Sequence, residues 1–129
     1  MSYKTSKVWT GSEWAGIAVA VANSQQKTIS NQIGTSLTLD TTVAADTFVF
    51  SSSSSITVTI PADASDEFTI GQIIVLIQNG TGTVTIEGAA GVTVNGAAIT
   101  SSINITERYG VATLLKIAND SWIVFGNVA

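Results

Sequence analysis

The sequence predicts an all-β protein, a two-sheet antiparallel β-sandwich of jelly-roll-like form with an N-terminal β-hairpin and arm. Several short segments alternate apolar residues with Thr or Ser, which is the period of a half-buried strand. Turns containing Gly and Asn recur every few residues, and no helical period is present. Residues 73–77 and 111–117 are apolar on both faces, so we expect central strands that are covered on both sides.

The composition indicates a single domain with a neutral surface. The chain has 129 residues, of which 45% are hydrophobic and 11% are charged, against about 25% charged in a typical soluble domain. Surface polarity must therefore come from Ser, Thr, Asn and Gln. Such a surface suits a protein that packs against copies of itself or against a large partner, and a hydroxyl-rich monomeric β-domain is the alternative.

The charge and the missing residue types exclude several function classes. The five Lys and Arg residues are scattered and the net charge is −4, which disfavours nucleic acid as a partner. The chain has no Cys and no His, so thiolate metal sites and the commonest general base are both absent. We therefore predict a protein that is not an enzyme, with no catalytic residues, no cofactor and no metal site.

The acidic residues leave one alternative to that prediction. Asp63, Asp66 and Glu67 crowd one loop, but their spacing is not that of a calcium loop, so we expect a solvated surface loop. Glycoside hydrolysis by carboxylates alone would be the surviving enzymatic chemistry, with Asp66 and Glu107 as the acids to substitute.

The N-terminal segment has its own pattern, which divides the chain into residues 1–30, a hairpin and attachment arm, and residues 31–129, the β-sandwich domain. Trp9 and Trp14 flank a short turn at Gly11, as in a tight hairpin. Residues 15–22 alternate Ala with Ile or Val, which favours a strand, either a docking arm or an ordinary first strand. The candidate interaction residues are Trp9, Trp14, Ile17, Val19 and Val21.

Two strand regions supply most of the predicted core. Residues 56–60 alternate Ile or Val with Thr and end at Pro61, and residues 111–125 form a hairpin around a turn at residues 119–121. Residues 51–55, a run of serines, are expected to be a surface loop. The predicted core residues are Ile56, Val58, Ile60, Val75, Ile77, Leu115, Ile117, Trp122 and Val124.

No targeting or membrane segment is visible in the sequence. The N-terminus lacks the apolar stretch of a signal peptide. The longest apolar run, residues 15–22, falls short of the roughly 20 residues that a spanning helix needs. We expect a protein made in a cytoplasm, without a membrane as partner.

From about residue 35 to the end, the chain resembles a β-module found in tailed-bacteriophage virion proteins. The resemblance is most specific in the final hairpin, and residues 8–14 separately resemble short tryptophan-bounded repeats of phage fibre proteins. The positions that carry the main resemblance are residues 56–61, Phe68, Gly71, Gln78, residues 84–86, residues 91–93, Arg108, Tyr109, residues 112–114, Lys116, Trp122 and Gly126.

The resemblance implies a structural protein of the virion, with no catalytic residues to carry over. Tail fibres usually place long shafts before such a module, whereas here a short segment precedes it. We therefore expect a capsid decoration (cement) protein, a homotrimer whose partners are itself and the major capsid protein or another virion protein. A tail-fibre tip, tail appendage or adaptor is the close alternative, and a carbohydrate-binding module for host attachment is the third.

Overall fold

A computed structural model describes residues 28–42, 45–97 and 102–129. All the regular structure in these residues is β, in ten strands, which confirms the predicted fold class. The strands are β1 (Ile29–Gln32), β2 (Ser36–Thr38), β3 (Thr47–Phe50), β4 (Ile56–Ile60), β5 (Ile73–Gln78), β6 (Val84–Gly88), β7 (Thr93–Val94), β8 (Ile103–Asn104), β9 (Val111–Ala118) and β10 (Ser121–Gly126).

The strands form two sheets that pack face to face, as the sequence predicted. One sheet has six strands in the order β1-β3-β5-β9-β10-β7, and the other has four in the order β2-β4-β6-β8. Residues 1–27 lie outside the described residues, so the N-terminal hairpin and arm stay predictions.

The antiparallel part of the prediction is wrong for the first six strands. From β1 to β6 the chain alternates between the two sheets, so that β1, β3 and β5 are parallel neighbours, as are β2, β4 and β6. The antiparallel pairs are β6 with β8, β5 with β9 and β9 with β10. The edge strand β7 is again parallel to its neighbour β10. The jelly-roll form is not confirmed by this strand order.

Turn residues explain the error in strand direction. The Asn79-Gly80 turn predicts a hairpin, but it connects β5 in the six-stranded sheet to β6 in the four-stranded sheet. A tight turn can reverse the chain within one sheet or carry it across to the other. The turn residues alone do not distinguish these two outcomes.

The serine run, residues 51–55, and the glycine-rich turn, residues 79–83, lie against each other. The backbone N–H of Gly80 donates to the Phe50 carbonyl at 2.9 Å, and that of Gly82 donates to the Ser52 carbonyl at 3.0 Å. A Cβ atom at Gly82 would overlap the carbonyl group of Ser54. The two turns therefore approach more closely than any residue with a side chain at position 82 permits.

The core lies between the sheets and uses one face of each strand. In β4 the buried residues are Ile56, Val58 and Ile60, while the intervening Thr57 and Thr59 are half-buried on the opposite face. Trp122 and Val124 are also buried, so five of the nine predicted core residues are confirmed. The other buried apolar residues are Leu39, Phe48, Phe50, Phe68, Ile74, Leu76, Val84, Ile86, Val92, Val94, Ile105, Ala112 and Leu114.

Four predicted core residues are wrong, because they occupy the opposite face of their strands. In β5 the core side chains are Ile74 and Leu76, which leaves Val75 and Ile77 half-buried on the other side. In β9 they are Ala112, Leu114 and Lys116. Leu115 is accordingly half-buried and Ile117 is 48% exposed, both on the opposite face.

The close contact between turns predicts that Gly82→Ala destabilises the protein. The new methyl group would meet backbone that cannot move aside, and we expect a loss of about 1–3 kcal/mol in the free energy of unfolding. Gly34→Ala is the matched control, because its Cβ would have no neighbour closer than the Ser36 carbonyl oxygen at 3.9 Å; its change should stay below about 1 kcal/mol. Equal denaturant midpoints for the two variants would contradict the close stacking.

The position of Trp122 predicts a large cavity effect. Its ring is 1% exposed and meets Phe68 edge to face with centroids 5.5 Å apart, so Trp122→Ala should cost about 3–5 kcal/mol. Trp122→Phe should cost less, because it retains a ring and because Trp122 Nε1 has no hydrogen-bond partner among the described residues. Thermal and denaturant unfolding measure both. A Trp122→Ala protein that melts like the parent would show this packing to be absent.

Candidate interaction surface

The side of the six-stranded sheet that faces away from the core is apolar, and it is called the outer face below. Its residues are brought together by the strand register, since residues paired across neighbouring strands share a face. Ile73, Leu115 and Ile123 form one row across β5, β9 and β10, and Val49, Ile77 and Val111 form another across β3, β5 and β9. The remaining apolar members are Ile29, Val75, Ile117 and Phe125.

In the part of the chain that the structure describes, the outer face is most exposed at its margins, while central residues such as Val75 and Leu115 are half-buried. Ile29 is 59% exposed, Ile73 47% and Phe125 51%. No charged residue lies among these apolar positions. The row from Ile29 to Phe125 contains Thr47, Val75 and Thr113 between its ends, and the exposed Asn31 extends the row of Val49, Ile77 and Val111. A contiguous, uncharged apolar surface of this kind is typical of an interaction site.

The corresponding side of the four-stranded sheet has a different chemistry. Thr57, Thr59 and Thr85 lie there together with Glu87 and Asn104. The Thr85 hydroxyl donates to the Asn104 side-chain oxygen at 2.7 Å. This sheet therefore has the apolar-inside, polar-outside pattern of a solvated sheet, and the six-stranded sheet does not.

Lys116 makes a buried ion pair that the sequence analysis missed. Its ammonium group has no exposure to solvent and donates to Asp63 Oδ1 at 2.7 Å and to the Phe68 carbonyl at 2.6 Å. The other Asp63 oxygen accepts the backbone N–H of Asp120 at 3.1 Å, and the Asp120 carboxylate accepts that of Asp63 at 2.7 Å. No signal in the sequence identifies this ion pair, because Lys116 shares a strand face with Ala112 and Leu114, and these are known to be core residues only once the register of β9 is known.

The acidic loop residues have separate structural partners. Asp63 binds Lys116, whereas Asp66 accepts the backbone N–H of Thr41 at 2.9 Å and its hydroxyl at 2.5 Å. Within the described ranges, no group of three His, Cys, Asp or Glu residues is placed to hold a metal ion. These carboxylates connect the loop to neighbouring segments.

A cleft of about 230 Å³ opens beside this loop. Asp40 and Glu67 line it with Thr69, Gln72 and the Phe68 ring, and its other lining residues are Leu39, Thr41, Ala45, Phe48 and Ile74. The backbone N–H and the hydroxyl of Thr42 donate to Asp40, which lowers the pKa of that carboxyl below its usual value. The cleft thus combines carboxylates, hydroxyl and amide groups with two largely buried aromatic residues, Phe48 and Phe68.

The two acids considered for glycoside hydrolysis lie at opposite ends of the sheet. Asp66 is in the connector that enters β5, whereas Glu107 is in the turn whose Gly110 carbonyl accepts the N–H of Gln78 at the end of β5. A strand of this length separates them by roughly 17–20 Å. Glycosidase carboxylates are about 5–9.5 Å apart, so the fold does not bring Asp66 and Glu107 together as a catalytic pair.

The predicted interaction residues of the N-terminal segment, Trp9, Trp14, Ile17, Val19 and Val21, lie outside the described residues. The structure therefore does not place them relative to the outer face. Those residues stay a prediction.

Comparison of the chain with protein-family models, with curated proteins and with solved structures gave no match. Across residues 28–42, 45–97 and 102–129, no helix has the length and apolar character needed to cross a membrane.

The buried ion pair predicts an unusual order of variant stabilities. Asp63→Ala would leave the buried Lys116 charge without its carboxylate and should cost about 3–5 kcal/mol. The double variant Asp63→Ala/Lys116→Met should be more stable than Asp63→Ala alone, because an apolar chain of similar length replaces the unpaired charge. Glu107→Ala, at an exposed acid, is the control. An Asp63→Ala protein within about 1 kcal/mol of the parent would show that Lys116 reaches water.

Proposed function

We propose that this protein is a non-enzymatic structural component of a bacteriophage virion, most specifically a capsid decoration (cement) protein that binds the outer shell as a homotrimer. Its partners are further copies of itself and the major capsid protein or another virion protein. It is made in the host cytoplasm and resides in the assembled particle.

The outer face of the six-stranded sheet carries this proposal. A protein that acts in an assembly of many copies needs a broad contact surface, and interface centres are depleted of charge and rich in large apolar side chains. The outer face has this composition across five of its strands, from Ile29 to Phe125. The proposal thus locates function on a sheet face and not in a cleft.

The virion setting is supported by the resemblance of residues 35–129 to the C-terminal β-module of phage virion proteins. The matching features run through the chain in order, from the strand at residues 56–60 to Gly126. They favour phage particles over other assemblies that an apolar sheet face would also suit. A tail-fibre tip, appendage or adaptor would use the same surface and is the alternative within the virion.

One observation favours a carbohydrate-binding module as a second candidate. The cleft beside Glu67 presents carboxylate, amide and hydroxyl groups around the Phe68 ring, and sugar ligands are bound by such polar groups together with an apolar surface. Glu67→Gln should then weaken binding of a host-surface glycan in calorimetric titration. Thr59→Val, on the four-stranded sheet, is the control.

The copy number of the protein in purified particles tests the virion proposal. Quantitative mass spectrometry of phage particles should find hundreds of copies per particle if the protein decorates the shell. A handful of copies would move the protein to the tail. Absence from particles purified away from free protein would overturn the virion proposal altogether.

A further inference from the structure

We infer that the outer face is buried against the outer face of a second copy of this chain. This inference rests on the proposed function for the view that the face is an assembly surface, and it names the occupant of that surface.

The distribution of charge favours a second copy. Each chain has a net charge of −4, so two copies repel unless their carboxylates stay apart. Of the described acidic residues, Glu107 lies in a turn at one end of the sheets and Glu87 is on the four-stranded sheet. The others lie in the loops at the opposite end: Asp40, Asp46, Asp63, Asp66, Glu67 and Asp120. Asp46, which accepts the hydroxyl of Thr47 at 3.4 Å, is at the end of β3 and not within the face. Outer faces can therefore meet without placing acidic groups opposite one another.

The lack of charge on the outer face also argues against a different protein as the occupant. Contacts between unlike proteins use complementary charges to select the partner and to fix its orientation. The polar groups of the outer face in the described strands are all uncharged: the exposed amide of Asn31, which lies beside Val49, and the side chains of Thr47, Thr93, Thr113 and Ser121. A contact between copies of one chain needs only that this surface be complementary in shape to the same surface of its neighbours, whether two copies meet about a two-fold axis or three about a three-fold axis.

The dimensions of the face are suitable for such a contact. Six strands spaced about 4.8 Å apart and about five residues long make a face of roughly 29 by 17 Å, or about 500 Å². Side chains that project from the sheet raise the accessible area above this flat value, towards the roughly 600–800 Å² per partner found in stable interfaces. Stacked sheets about 10 Å apart also form the core of each copy, so the contact repeats packing that this sheet already makes.

Light scattering after size-exclusion chromatography of the full-length protein tests the inference. At micromolar concentration the parent should have the mass of two or three copies, either of which buries the outer face. Leu115→Glu, on the central strand β9 of that face, should raise the dissociation concentration at least tenfold. Thr59→Glu adds the same charge at a half-buried position on the four-stranded sheet and should leave the mass unchanged.

Thiol accessibility supplies a second measurement that does not depend on how Leu115→Glu folds. The chain has no cysteine, so Ile117→Cys and Thr38→Cys each introduce one reporter, at the outer face and at an exposed position of the other sheet. Maleimide should react with Ile117→Cys at least tenfold more slowly than with Thr38→Cys at micromolar protein, and the difference should disappear on dilution to the monomer.

Several results would overturn the inference. A parent protein that is monomeric at micromolar concentration would overturn it. This holds if Ile117→Cys is reactive, and it also holds if residues 1–27 of the same chain protect Ile117→Cys at all concentrations. Equal maleimide rates at the two positions, or an assembly unaffected by Leu115→Glu, would also do so. An assembled protein that is absent from phage particles would remove the proposed virion role alone.

Discussion

The buried pair of Lys116 and Asp63 is the contact on which the arrangement of the loops around the core depends. An ammonium group without access to water is tolerated only when acceptors surround it, and here the connector between β4 and β5 supplies two, from Asp63 and Phe68. To reach Lys116, that connector must fold across the β9–β10 hairpin. The reciprocal hydrogen bonds between Asp63 and Asp120 then fix the hairpin turn, and Phe68 packs onto Trp122 at this end of the core.

The residues that carry the resemblance to the phage module have structural roles in this fold. Gln78 is buried and its side-chain oxygen accepts the N–H of Val84, which closes the glycine-rich turn. A Cβ at Gly126 would overlap the carbonyl oxygen of Val111, so only glycine fits in that pairing. Lys116 and Trp122 belong to the network just described. These residues stabilise the fold, and the proposed virion role depends on the predicted resemblance together with the character of the outer face.

The two sheets differ in what they present on the side away from the core. Threonines on the four-stranded sheet can form hydrogen bonds with water, whereas Ile, Leu, Val and Phe side chains on the six-stranded sheet cannot. The strands of the four-stranded sheet alternate polar with apolar residues because only one side of that sheet is buried. Strands β5 and β9 lack that alternation, which is typical of strands covered on both sides. The outer face thus has the composition of a buried surface, but the described residues do not cover it.

The sequence by itself determined the β class, the two-layer packing and the core residues of β4, Ile56, Val58 and Ile60, because a period of two assigns side chains to faces. It could not choose between Val75 and Leu76, or between Leu115 and Leu114, since both faces of those strands are apolar. Only the tertiary structure decided, through strand register, that Lys116 points into the core and that Leu115 lies on the outer face. It also decided the parallel pairing of β1 to β6, because turn residues specify where a chain bends and not which sheet the next strand joins.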